Sequence, residues 1–131
     1  MNAADIRDLL HRLRRGIGQP SVILECCCEN LETVYVSLSE ADDVLVSDHG
    51  KTFEYLSSGT DSTYRPIDDL FMVAAAEACR QLGTNLTSDD RHTFPRIDCP
   101  VDSLGSVSAA VEKVADAVDR VFYLALRVDL K

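Results

Sequence analysis

Apolar residues recur at helical spacing in three segments, and each segment predicts one amphipathic helix. The first helix is expected over residues 3–15, the second over residues 66–82 and the third from Ser103 or Ser106 to about Arg127. Their expected buried stripes are Ile6, Leu9, Leu10, Leu13 and Ile17; Ile67, Leu70, Phe71, Ala74, Ala78 and Leu82; and Val107, Val111, Val114, Val118, Val121, Phe122 and Ala125. Pro66 is expected to open the second helix, and Gly83 to end it.

Alternation of apolar and polar residues predicts strands over residues 21–28, 32–38 and 43–47. The connection at residues 29–31 is short, which favours an antiparallel hairpin between the first two strands. A fourth strand is expected over residues 92–99, at an edge or with a bulge, because Pro95 has no backbone N–H to donate. Between the third strand and the second long helix, Thr52 is expected to cap a short helix ending near Leu56.

These elements predict an α+β fold. A small antiparallel sheet, formed by a three-stranded meander and one later edge strand, is packed by three main helices in two layers. At 131 residues the chain has the size of a single domain, with the N-terminal helix in residues 1–16. Residues 57–65 are polar and are expected to form a mobile loop.

The net charge of the chain limits the classes of molecule that it is expected to bind. The chain carries 22 acidic and 13 basic residues, a formal net charge of −9, which opposes direct binding to nucleic acid and favours a protein with a basic surface. No membrane-spanning segment and no signal peptide are evident, so a cytoplasmic location in a bacterium or its host cell is expected. The five cysteines are an odd number, which fits a reducing compartment.

The sequence predicts no metal site and no cofactor. Cys26, Cys27 and Cys28 are consecutive, without the C-x-x-C spacing of a zinc site, so Cys26 and Cys28 are interpreted as small core residues. The three histidines, His11, His49 and His92, fall on different elements and form no metal-binding pair. Glycine-rich phosphate loops and the G-x-S-x-G nucleophile motif are also missing from the sequence.

The segment Ser47-Asp48-His49-Gly50-Lys51-Thr52 supports two hypotheses. An Asp next to a His, with Lys51 nearby, has the residue types of acid–base catalysis. The favoured hypothesis is structural: Asp48 accepts backbone N–H groups in a turn while Gly50 adopts a positive φ. Neighbouring residues of an extended segment point apart, so Asp48 is not expected to orient His49.

Ser47, Asp48, Gly50, Thr52 and Leu56 also carry a resemblance. The pattern of a strand ending in Ser-Asp, then Gly, Thr and a Leu-ended turn resembles the family known as domain of unknown function 1828, found mainly in phages and prophages. His49 departs from the pattern, since an acidic residue is common at that place in the family. The resemblance implies no settled activity. It implies a mobile-element context, in which small acidic proteins often inhibit or modulate host proteins.

Acidic residues cluster in the expected loops and turns, where carboxylates on one face would imitate a run of phosphates. The candidate partner-binding residues are Glu40, Asp42, Asp43, Asp61, Asp68, Asp69, Asp89 and Asp90. The expected function is therefore non-enzymatic: a phage- or prophage-type protein that binds and inhibits or modulates a host protein, such as a nucleic-acid-handling or anti-CRISPR-like defence complex. Two alternatives stay open, a small hydrolase or nuclease-like enzyme using Asp48 and His49, and an assembly subunit that dimerises through its last helix. The sequence leaves monomer and homodimer undecided.

Overall fold

In the part of the chain that the structure describes, four helices and five strands make up the fold. The computed structural model describes residues 3–17, 21–26, 30–39, 43–58, 64–88, 94–102 and 105–126. In chain order the elements are α1 (Ala3–Ile17), β1 (Val22–Glu25), β2 (Thr33–Leu38), β3 (Val44–Ser47), α2 (Lys51–Ser57), α3 (Asp69–Gln81), β4 (Asn85–Thr87), β5 (Arg96–Val101) and α4 (Val107–Ala125). Within these ranges no helix is at once long and apolar enough to cross a membrane.

The strands form one antiparallel sheet in the order β1-β2-β3-β5-β4. This confirms the α+β class and the meander of the first three strands. The register aligns Val36 with Val46, and Val46 with Cys99. Since successive strand residues point to opposite faces, this alignment puts one continuous apolar surface on one side of the sheet.

The core forms where this surface meets the helices. Val34, Val46 and Ile97 are fully buried, whereas Ile23, on the opposite face of β1, is mostly exposed. Helices α1, α3 and α4 supply residues to the same buried cluster, and α1 and α4 contact the central strands. The predicted stripe of α4 is confirmed as core: its buried members are Val107, Val114, Val118, Val121, Phe122 and Ala125, with Val111 partly buried. That stripe packs inside its own chain.

The edge position expected for the fourth strand is wrong. β5 lies between β3 and β4, and β4, which the sequence pattern did not predict, occupies the edge. Pro95 precedes β5, and the proline within the strand is Pro100. The amide and the carbonyl of Ile97 both bond to Asp48, so they point towards β3. The backbone groups of successive strand residues point to alternate sides, so those of Pro100 point towards β4. The β4 pairing ends at Asp98, so the N–H that Pro100 lacks is not needed.

Helix α3 differs from its prediction in its start and in its buried face. Pro66 is not its first residue. The N-cap is Asp68, whose Oδ1 accepts a hydrogen bond from the Phe71 amide at 2.8 Å. The buried residues are Phe71, Ala75 and Cys79, whereas Leu70 and Ala74, expected in the core, are exposed. Phe71 packs edge-on against the buried ring of Phe53, which turns this side of α3 inward.

The other helix and strand boundaries differ from the expected ones by at most four residues. The N-cap of α2 is Gly50, so the expectation that Thr52 caps this helix is wrong; Thr52 lies inside the first turn. Helix α1 continues through Gly16 to Ile17, past its expected end at residue 15. Ser106 caps α4 by accepting a hydrogen bond from the Ala109 amide at 3.2 Å, and that helix ends at Ala125.

Candidate functional site

Asp48 lies fully buried between the end of β3 and the start of α2. Its Oδ1 accepts hydrogen bonds from the amides of Gly50 and Ile97, both at 2.9 Å. Its own amide donates to the Ile97 carbonyl at 3.2 Å. One side chain thus shapes the turn into α2 and attaches that turn to β5.

The turn itself is left-handed, with φ of 54° at His49 and 75° at Gly50. A side chain at Gly50 would be strained by this φ, and its Cβ would lie 3.3 Å from both the Cβ and the carbonyl oxygen of Phe94. Ser47 Oγ accepts a hydrogen bond from the His49 amide at 3.0 Å. These contacts give Ser47, Asp48 and Gly50 definite backbone roles.

The second carboxylate oxygen of Asp48 is in a different situation. Oδ2 of Asp48 and Oγ1 of Thr52 are both buried without a partner in hydrogen-bond geometry. Burial raises the pKa of Asp48, and the hydrogen bond from the Ile97 amide and the nearby Thr52 side chain act against this rise. Burial also raises the pKa of the Cys79 thiol, and the charge of Asp48 adds to that effect.

The residues of the acid–base hypothesis lie in separate environments. The Asp48 carboxylate is in the interior, whereas His49 is exposed and its ring stacks on Tyr35 with centroids 4.1 Å apart. Lys51 Nζ lies 3.6 Å from Glu54 Oε2 at the surface. The geometry does not gather these three side chains around a common space in which a substrate would react.

Only some of the acidic candidates belong to the described residues. Glu40, Asp42, Asp61, Asp89 and Asp90 lie outside them. Asp43 is exposed in the β2–β3 connection, where its amide donates to Ser39 Oγ at 3.1 Å. Asp68 and Asp69 lie together at the start of α3. Asp68 has a structural role as the N-cap. Asp69 is exposed and does not cap the helix.

The outward face of α3 includes Leu70 and Ala74, which the sequence interpretation placed in the core. Leu70 is 81% exposed and Val73 is 70% exposed, the two highest values among the large apolar side chains in the described ranges. Ala74 and Ala76, beside them, are also exposed. The signal for this was a second apolar row: Ala75 and Cys79 follow Phe71 at the same spacing at which Ala74 and Ala78 follow Leu70.

A shallow open groove of about 400 Å³ lies beside the end of α3, lined by Leu82, Asp116, Asp119, Arg120 and Tyr123. Asp119 Oδ1 accepts a hydrogen bond from the Asn30 side-chain amide at 3.0 Å. The groove brings charges of both signs together on α4.

No metal centre among the described residues and no known relative adds to these observations. Among the described residues, no three or more His, Cys, Asp or Glu side chains are grouped to hold a metal ion. Comparison of the chain with protein-family models, with curated proteins and with solved structures finds no match. The resemblance at Ser47–Leu56 therefore stays a prediction.

Proposed function

We propose that this protein works without catalysis, by binding another protein through the outward face of α3. The observation that carries the proposal is the exposure of Leu70 and Val73 on adjacent turns, with Ala74 and Ala76 beside them. A helix on a protein surface ordinarily turns polar residues to water. Contiguous exposed apolar side chains are typical of interaction surfaces.

The charge of the chain supports a basic partner. A net charge of −9 attracts a positively charged protein over distances of about a Debye length, and it repels nucleic acid. Asp69 lies at the end of the apolar face, next to Leu70. An apolar centre with a carboxylate at its margin favours a partner that has an apolar patch and a Lys or Arg beside it.

We further propose that the partner is a host protein whose basic surface normally holds nucleic acid. The resemblance to phage and prophage proteins supports a host protein in the bacterial cytosol. The acidic surface supports a partner that normally holds nucleic acid, including a defence complex, because carboxylates compete with phosphates for the same basic side chains. Inhibition would follow from occupation of that basic surface.

An experiment with two matched charge reversals tests the proposal. The full chain and its Asp69→Lys and Asp8→Lys variants are immobilised and exposed to bacterial lysate at low and moderate salt. Asp8 is exposed on α1, which contacts β2 and β3, whereas α3 contacts β4 and α4. Both variants change the net charge equally. We expect Asp69→Lys to lose the retained protein, Asp8→Lys to keep it, and moderate salt to weaken retention.

Two results would contradict the proposal: no protein specifically retained at either salt concentration, or equal losses in the two variants. Circular dichroism serves as the folding control. Asp69→Lys replaces a favourable charge in the first turn of α3 by an unfavourable one, which costs about 0.3–1 kcal/mol for each of the two changes and should leave the helix folded.

A further inference from the structure

The apolar part of the α3 face has a definite length and direction. Leu70, Val73 and Ala74 follow one another at i, i+3 and i+4, so they form a stripe along the helix axis. With Ala76, the apolar part spans roughly 9 Å at the usual rise per residue. A stripe of this form matches the side of a second helix.

The two ends of this stripe differ in charge. At the C-terminal end, Glu77 accepts a hydrogen bond from Arg80 Nε at 3.0 Å, so the two charges neutralise each other. At the N-terminal end, Asp69 has no cation within ion-pair distance among the described residues. The surface therefore presents an uncompensated negative charge at one end only.

Resting on the proposed function, we infer that the occupant of this face is an amphipathic helix of the partner, with an apolar stripe over Leu70 and Val73 and Lys or Arg residues beside Asp69. Ala74 and Ala76 are small and exposed, which allows the axis of a second helix to approach to about 8–10 Å. A second copy of this chain is a poorer occupant, because it brings another net charge of −9 to the same surface.

Two synthetic helical peptides serve as probes. Both carry the same Leu and Ala stripe; one has Lys residues flanking the stripe and the other has Glu residues there. Each is titrated into the full-length, isotope-labelled protein and followed by amide chemical shifts. We expect the Lys-flanked peptide to shift the amides of the first two turns of α3, with binding that weakens as salt rises. We expect the Glu-flanked peptide to bind at least about tenfold more weakly.

Variants locate the binding on α3. The double variant Leu70→Ser with Val73→Ser should bind the Lys-flanked peptide at least about tenfold more weakly, because it removes the apolar surface that binding would bury. The control is Tyr123→Ser, which removes another largely exposed apolar side chain, on α4. We expect its binding to match that of the unaltered protein.

The inference is overturned by equal binding of the two peptides, by shifts confined to other elements or by unaltered binding of the double variant. Concentration-dependent self-association that the double variant abolishes would also overturn it, since a second copy would then occupy the face. A lysate protein retained equally by the unaltered chain and the double variant would overturn this inference and leave protein binding intact. A lysate from which the unaltered chain retains nothing would remove the proposed function itself.

Discussion

Asp48 shows how a single buried side chain organises a turn. Its Oδ1 serves two amides that no water reaches, one in the turn at Gly50 and one in β5 at Ile97. Buried backbone donors left without an acceptor are costly, which gives a reason for a carboxylate in the interior. The cost of burying this carboxylate appears in its raised pKa.

The raised pKa of Asp48 predicts a pH dependence of stability. The folded state holds this proton more tightly than the unfolded state, whose pKa is near 3.8. Between the two pKa values the folded protein binds more protons, so this group lowers the free energy of unfolding as pH rises through that window. We expect Asp48→Asn, which keeps an acceptor at Oδ1, to remove this contribution. Urea unfolding at pH values from about 3 to 7 measures it as the difference between the two proteins.

The control for this prediction is Asp48→Ala. It removes the acceptor and leaves two buried amides unpaired, at a cost of about 1–3 kcal/mol for each lost hydrogen bond. A stability difference between the unaltered protein and Asp48→Asn that stays constant across the pH range would contradict the prediction. So would an Asp48→Ala variant as stable as Asp48→Asn.

At the scale of the elements, α3 depends on a residue that flanks it and on a contact with α2. Its N-cap is the side chain of Asp68, and its orientation follows from Phe71 packing against Phe53. Adjacent acidic residues therefore differ in role: Asp68 starts the helix, and Asp69 faces the solvent.

This difference gives a matched pair of substitutions. Asp68→Ala removes the cap and should lower the free energy of unfolding by about 0.5–2 kcal/mol. Asp69→Ala removes only a charge near the helix N-terminus, worth about 0.3–1 kcal/mol. Chemical denaturation of the two variants at low ionic strength compares them. Equal losses, or a larger loss for Asp69→Ala, would contradict the cap assigned to Asp68.

In the whole molecule, the packing of the helices on the sheet buries some apolar side chains and leaves others exposed. Val118 of α4 is completely buried in the shared cluster, whereas Val73 of α3 is largely in solvent. The two residues are of the same type and lie on long helices, so their different surroundings should appear directly in stability.

We expect Val118→Ala to lower the free energy of unfolding by roughly 2 kcal/mol, because it removes buried methyl groups and leaves a cavity. Val73→Ala should change it by less than about 0.5 kcal/mol. Thermal or urea unfolding of both variants provides the measurement. A destabilising effect of Val73→Ala as large as that of Val118→Ala would show that the outward face of α3 belongs to the core.

Periodicity alone was enough to predict the elements with strong patterns. The alternation in β2 and β3 and the long stripe of α4 were sufficient, since each allows only one buried face. In α3 the run from Leu70 to Cys79 is apolar on nearly all sides, so several faces fit the same spacing. The three-residue strand β4 is too short to show a period.

Local pattern and composition were sufficient to establish the fold class, the antiparallel meander, the burial of α4 and the acidic character of the molecule. The tertiary structure decided which side of α3 meets Phe53, which strand ends the sheet, and that Asp48 reaches the Ile97 amide, 49 residues away. In each case the local sequence allows more than one arrangement equally well. Only the packing of distant residues against one another distinguishes them.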